Sequence, residues 1–204
     1  MMKALLLKEF YVASKTCRSI LLVIVAFFAL SFFGNDSQFF ILYPLMMVSL
    51  VPVTLLSYDE RDGWDKYSLT LPCTRAQLVS VKYLTGLAFG GLTYLLSEAV
   101  LAARFLLAGS FVWGEYLSLS SALLLLGLLG PSILMPFVFK FGSEKGRIAY
   151  YFVIALIFAV VAILAGMGFY VYLEGFSWLV IGAAVLLYLG SWRLSIHFYE
   201  KREL

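Results

Sequence analysis

Six stretches of this chain consist almost wholly of apolar side chains, and each approaches the length a helix needs to cross a bilayer. They are Ser19–Phe33, Phe39–Ser57, Tyr83–Ala108, Tyr116–Phe139, Ile148–Leu173 and Phe176–Trp192. A crossing takes about 20 apolar residues. The first run is short and is expected to extend back through Cys17 or forward to the next turn, and the last to continue through Leu194 and Ile196. Barrel strands are excluded, because they alternate polar and apolar residues over about 10 positions. A soluble fold is excluded by composition: 63% of the residues are hydrophobic and only 13% charged. Soluble domains carry about 25% charge, and the shortfall would leave large apolar patches bare to water. The expectation is an all-α, polytopic membrane protein with six transmembrane helices, forming a single domain over residues 1–204.

The placement of charge orients these spans. With the N-terminus in the cytoplasm, every lysine and arginine except Arg104 falls on that side. Lys3, Lys8, Lys15 and Arg18 precede the first run, and Arg61, Lys66, Arg75 and Lys82 separate the second from the third. Lys140, Lys145 and Arg147 follow the fourth, and Arg193, Lys201 and Arg202 close the chain. The opposite turns carry Asp36, Glu115 and Glu174 and no base. Bases collect on the cytoplasmic side of membrane proteins, so the N-in/C-in arrangement follows. An odd number of spans would leave one basic cluster outside. Cys17 and Cys73 then face a reducing compartment and are expected to be free thiols. Neither has the spacing or the neighbouring histidine of a metal site. No cleavable signal peptide is expected, because the first apolar run leads into "FFGNDS" without a small-x-small site.

Residues 1–18 are expected to form an interfacial helix along the inner leaflet. Lys8, Lys15 and Arg18 share one sector of a helical wheel, with Leu5, Leu6, Phe10, Val12 and Ala13 mostly opposite. Glu9 falls on the apolar side, and Leu7 and Tyr11 fall among the bases. "GNDSQ" (Gly34–Gln38) reads as a tight turn. Pro44 and Pro52 in the second run, and Pro131 and Pro136 in the fourth, predict kinks, since proline removes a backbone bond and clashes with the preceding turn. Gly86 and Gly90, and the small residues of "AGMGF" (Ala165–Phe169), offer surfaces for close helix approach. That approach serves packing within the chain or between chains.

Asp59–Lys82 is the one long polar segment. Asp59, Glu60, Asp62 and Asp65 are balanced by Arg61, Lys66, Arg75 and Lys82, whereas a segment holding anionic lipid would be a one-signed basic cluster. Two short helices are expected. One covers Asp59–Lys66 and is interrupted at Gly63; the other starts after Pro72, helical from Thr74 into the third span. Trp64, Tyr67 and Leu69 stand among the charges. That composition fits a protein-docking hot spot or an aromatic belt at the membrane surface.

The segment resembles the cytoplasmic loop of ABC-2 type transporter permeases, in the small six-span family of bacteria. The resemblance rests on Asp59 and Glu60, then Gly63-Trp64, Leu71-Pro72, Arg75, and Lys82-Tyr83 at the start of the third span. The opening "MKALLLKEFY" (Met2–Tyr11) is similar to the family's usual start. This resemblance implies the permease subunit of an ATP-driven exporter in the bacterial plasma membrane, working with a second permease subunit. It implies that the loop is a coupling element seated in a separate ABC ATPase subunit. Gly63, Trp64 and Pro72 would shape that element beside Asp59, Glu60 and Leu71, and Arg61, Asp62, Asp65, Lys66 and Arg75 would make polar contacts at its rim. The implied cargo is amphipathic or hydrophobic: peptides, toxins, antibiotics or lipid-like molecules. The short outer turns, with no dock for an external binding protein, fit export.

The chain is not expected to be an enzyme. It has no GxxxxGK[ST] phosphate loop, and "GSEKGR" does not fit one, so ATP and Mg²⁺ would be used by the partner. No cofactor, metal or nucleic-acid partner is expected. Its one histidine, His197, lies at the cytoplasmic end of the last run, remote from any mid-membrane serine. Glu98 and Arg104 interrupt the third run, with Glu98 near its middle. Six residues of helix turn about 600°, so the two do not share a face. Arg104 can reach the outer headgroups. Glu98 and Arg104 are candidates for a pathway or dimer seam, and for Glu98 the alternative is a hydrogen-bonded structural carboxyl. The rival reading of the whole chain is an ATPase-independent carrier or peptide-immunity protein. A proton-coupled carrier would hold several buried ionisable groups, and Glu98 is nearly alone.

Overall fold

A computed structural model describes residues 2–16, 18–33, 38–68, 70–107, 109, 112–149, 151–152, 155 and 177–202. The fifth apolar run, apart from its start, lies outside the described residues. So do "AGMGF", Gly34–Ser37, Cys17 and Leu69. Of Asp65 and Lys66 only the backbone is described.

Every described element is helical. They are α1 (Met2–Thr16), α2 (Arg18–Leu30), α3 (Gln38–Val48), α4 (Val51–Arg61), α5 (Trp64–Ser68), α6 (Arg75–Leu107), α7 (Trp113–Phe141) and α8 (Ser177–Lys201). A further helical stretch at 143–149 follows Gly142. Among the described residues, four helices are long and apolar enough to cross a membrane: Phe39–Arg61, Arg75–Leu107, Trp113–Phe141 and Ile181–Lys201. The pair Met2–Lys15 and Arg18–Leu30, bent by 61°, passes as a fifth only if taken together. Taken alone, α2 with its 13 residues is shorter than a crossing needs.

The second run is one span, Phe39–Arg61, with its helix interrupted by a single turn at Ser49–Leu50. α3 ends at Val48 and α4 starts at Val51, with Pro52 in its first turn. A proline there lacks only an N–H that has no partner anyway, so the break falls just before it. Pro44, Pro131 and Pro136 instead lie inside α3 and α7.

α1 buries Leu5, Glu9 and Ala13, one residue per turn, and exposes Leu7, Phe10 and Tyr11. Its buried stripe therefore carries a charge, and large apolar side chains stay outside. Ala13 packs with Ile24, Val48, Val51 and Leu55, tying α1 and α2 to the α3–α4 break. The main core joins α4, α6, α7 and α8 through Val53, Tyr83, Leu134, Phe139 and Tyr188. A smaller core at the far end joins Ile41, Leu45, Leu101 and Leu123.

Candidate functional site

One end of the bundle collects the ends of five elements: α1, the last turn of α4, the start of α6, the end of α7 and the end of α8. Three polar anchors hold them together.

The first is a neutral ring of four charges. Lys82 Nζ donates to Glu9 Oε2 at 2.7 Å and to Asp59 Oδ2 at 2.6 Å. Lys8 Nζ donates to Glu9 Oε1 at 3.1 Å and also to Asp59 Oδ1. Glu9, Asp59 and Lys82 are buried. A buried charge is tolerable only when paired and hydrogen-bonded, and here each acid takes both bases. This explains Glu9 on the apolar side of α1. Lys8 also lies 4.5 Å from the centre of the Trp64 ring, a cation–π contact that holds α5 against α1.

The second anchor is Glu60. Its Oε2 accepts from the Ser143 N–H at 2.9 Å and the Ser143 hydroxyl at 2.6 Å, and its Oε1 accepts from Arg202 Nη1 at 3.0 Å. A carboxylate at the first turn of a helical stretch satisfies its orphan N–H groups and complements its dipole. Arg147, on the same stretch, donates to Ser57 Oγ. Gly146 permits this docking: a Cβ there would lie 2.5 Å from Val138 Cα of α7.

The third anchor is Arg75. Its Nη1 donates to the carbonyls of Tyr199 at 3.2 Å, Glu200 at 2.8 Å and Arg202 at 2.9 Å. These carbonyls lie at the end of α8, where a cation also meets the negative end of the helix dipole. Beneath the anchors Tyr83 stacks on Trp192 at 5.4 Å, and its hydroxyl lies 2.8 Å from Ser191 Oγ and 2.7 Å from Ser195 Oγ.

The segment between these anchors differs from the two helices expected. Asp59, Glu60 and Arg61 complete α4, which stops at Gly63 with φ +68°, a conformation that favours glycine. Trp64–Ser68 forms the short α5, and Pro72 lies in a bend before α6. At Thr74 the expected helix start is found as a capping box. The Gln77 N–H donates to Thr74 Oγ1 at 3.2 Å, and the Thr74 N–H donates to Gln77 Oε1 at 3.1 Å. Cys73 Sγ donates to the Ser68 carbonyl at 3.3 Å.

The anchors sort the sequence candidates by where their side chains go. Asp59, Glu60 and Arg75 turn into the protein. Trp64 is half-buried against Lys8, Leu71 is half-buried, and Arg61, Asp62, Tyr67 and Pro72 are exposed. Arg75, expected at the rim, has its guanidinium on the α8 terminus, because that helix ends beside the start of α6. Lys8, Glu9, Ser143 and Arg202 are site residues that sequence reasoning does not single out. Glu9 on an apolar helix face was the one available sign.

Glu98 and Arg104 lie elsewhere. α6 begins ahead of the third apolar run, so Glu98 sits nearer the far end of its helix than the middle of the run suggested. Its Oε2 accepts from the Tyr116 hydroxyl at 2.7 Å, in the first turn of α7. Arg104 is half-buried and forms no ion pair among the described residues.

Long apolar helices gathered at one charged end define a polytopic α-helical membrane protein. Its family is equally plain: residues 4–200 match the family described as ABC-2 family transporter protein, and the chain belongs to it. No curated protein and no solved structure matches the chain.

Proposed function

We propose that this chain is the permease subunit of an ATP-driven exporter in a bacterial plasma membrane, with ATP hydrolysis on a separate ABC ATPase subunit. The single observation that carries the reading is the build of the polar end. A short helix, α5, is bracketed by three buried or half-buried anchors and presents Tyr67 to the outside, beside the exposed Arg61 and Asp62 at the end of α4. A surface meant to pass on force needs such backing: a push on α5 reaches α1 through Lys8 and Trp64, α6 through Lys82, and α8 through Arg75. Membership of the ABC-2 family supports the same assignment. In this reading the polar end is cytoplasmic, and the chain crosses the membrane six times. α7 and α8 both finish at the polar end, which supports an even count. A second permease subunit completes the transporter, and the cargo is amphipathic or hydrophobic.

The test is affinity purification of the full-length chain from its host. Co-purification of a protein carrying a GxxxxGK[ST] phosphate loop is expected. Tyr67→Glu combined with Asp62→Lys lowers its recovery by about tenfold or more, as loss of an exposed aromatic hot spot does. Tyr67 touches the anchors only through its ring contact with Trp64, and neither side chain forms an ion pair in them, so the fold persists. Absence of any such ATPase, or full recovery with the double variant, overturns the reading and favours an ATPase-independent carrier.

A further inference from the structure

Beside its buried stripe, α1 carries a second one. Lys3, Leu6, Leu7 and Phe10 recur at the i, i+3, i+4 and i+7 spacing of a single helix face. With Leu84, Ala88 and Phe89 of α6, this face lines a groove of about 340 Å³. Sites that hold small ligands span about 300–1,000 Å³. Phe10 stacks on Phe89 with the ring centroids 6.2 Å apart. Leu7, Phe10 and the small Ala88 are exposed.

The groove has a charged end and an apolar end. Leu5 lines a cleft with Leu78 and Tyr199, and Glu9 bonds Lys82, so the first half of α1 lies where α6 begins. Phe10 reaches Phe89, about 10 Å further along α6 than Lys82 at roughly 1.5 Å of rise per residue. α1 therefore slants, with Lys3 toward the polar end and Phe10 deeper. Lys3 is exposed in the first turn of α1, whose N–H groups lack helical partners and add positive potential. Lys8 and Lys82 are taken up by Glu9 and Asp59, whereas Lys3 forms no ion pair among the described residues. No acidic side chain among the described residues lines the groove. The Thr85 hydroxyl in its wall is committed to the Val81 carbonyl at 2.8 Å. One uncompensated positive charge thus stands at the head of an apolar trough.

We propose that this groove binds an anionic phospholipid of the leaflet at the polar end. The phosphate meets Lys3, and one acyl chain lies over Ala88 toward the Phe10–Phe89 stack. Charge and direction both fit. A lysine at the membrane surface attracts anionic headgroups, and the slant of α1 runs from headgroup depth into hydrocarbon, as a lipid does. One base suffices here because the groove adds apolar contact along the chain. The Glu9–Lys82 pair holds α1 against α6, so both walls are in place before the lipid arrives. A lipid seated there braces the helix that carries Lys8 and Glu9 into the polar end. The site needs only the bilayer and stands apart from the permease reading.

The experiment places the full-length chain in phosphatidylcholine nanodiscs with a trace of one photoactivatable lipid. The two probes, phosphatidylglycerol and phosphatidylcholine, have identical chains with a diazirine in the upper part of one. Labelling of Leu6, Leu7 and Phe89 is read relative to Leu189 of α8, which is exposed at a similar depth because its neighbour Tyr188 packs on Tyr83. The phosphatidylglycerol probe is expected to label the groove about fivefold more than the phosphatidylcholine probe, the effect of one lysine on an anionic lipid. Lys3→Gln is expected to abolish that preference and leave phosphatidylcholine labelling unchanged. Lys15→Gln, which removes an exposed base of the same helix outside the groove, is expected to leave the preference intact. Ala88→Leu fills the trough and brings both probes down to the level of Leu189. Equal labelling of the native chain by the two probes overturns the proposal. So does a loss in Lys15→Gln as large as in Lys3→Gln, which would mean a diffuse surface attraction, or a preference that survives Ala88→Leu. Disulfide crosslinking of Leu7→Cys to its counterpart in native membranes, in a chain whose Cys17 and Cys73 are serine, would show a second copy seated on the groove and overturns it as well.

Discussion

Lys82 stands where the apolar part of α6 begins, and its ammonium is satisfied by two carboxylates from other elements, Glu9 and Asp59. Replacing it with methionine keeps the aliphatic stem and leaves both acids with Lys8 alone. Removing one partner from a buried ion cluster destabilises by about 3–5 kcal/mol, mainly through the charge left behind. Lys82→Met should therefore lose stability on that order, read as the shift in denaturant midpoint of the purified protein in detergent. Glu9→Gln in the same chain should recover part of the loss, because it removes the stranded charge; residues sharing one network do not add independently. Full additivity would mean that the ring acts as separate surface pairs. The sequence exposes half of this arrangement. Glu9 on the apolar side of a helix announces a partner. Which partner it is depends on α1 lying across α4 and α6, a tertiary fact that no spacing within Met2–Thr16 encodes. Arg75 shows the same limit, since its partners are backbone carbonyls at the far end of the chain, and carbonyls have no sequence signature.

At the scale of elements, local chemistry was readable where it was self-contained. Thr74 and Gln77 make a capping box from residues three apart, so the start of α6 follows from the sequence. Gly63 breaks the segment as expected, but Asp59–Arg61 belong to the span before it, because polar residues can continue a helix once it leaves the bilayer. The break at Ser49–Leu50 was only half visible. Pro44 and Pro52 each predict a disturbance, and the position of Pro52 in the first turn of α4 decides which becomes a new helix start. Thr74→Ala removes the Thr74 side-chain acceptor, a loss of about 1 kcal/mol at an N-cap. Amide exchange should then quicken at Gln77 and Leu78 and remain unchanged from Tyr83 onward, where the helix is held by its packing on α8. Acceleration along the whole of α6 would show that the cap governs the span and not merely its first turn.

For the molecule as a whole, the basic residues carry the orientation signal, because charge asymmetry across a bilayer is a property of the whole chain. The described helices agree with that drawing in one respect: the ends rich in lysine and arginine lie together and are tied by Lys82, Glu60 and Arg75. Which face of the membrane they occupy is a prediction that follows from the positive-inside rule. It can be tested with single cysteines in a chain whose Cys17 and Cys73 are serine. Tyr67 and Leu107 are both exposed, one on α5 and one at the opposite end of α6, so each tolerates a cysteine. A charged maleimide that does not cross membranes should label Tyr67→Cys in inverted vesicles and not in intact cells with the outer barrier opened. Leu107→Cys should behave in the opposite way. Labelling of both from one side would mean that α6 does not cross. The reversed pattern would put α5 outside the cell, where no ATPase could reach it, and the permease reading would fail with it.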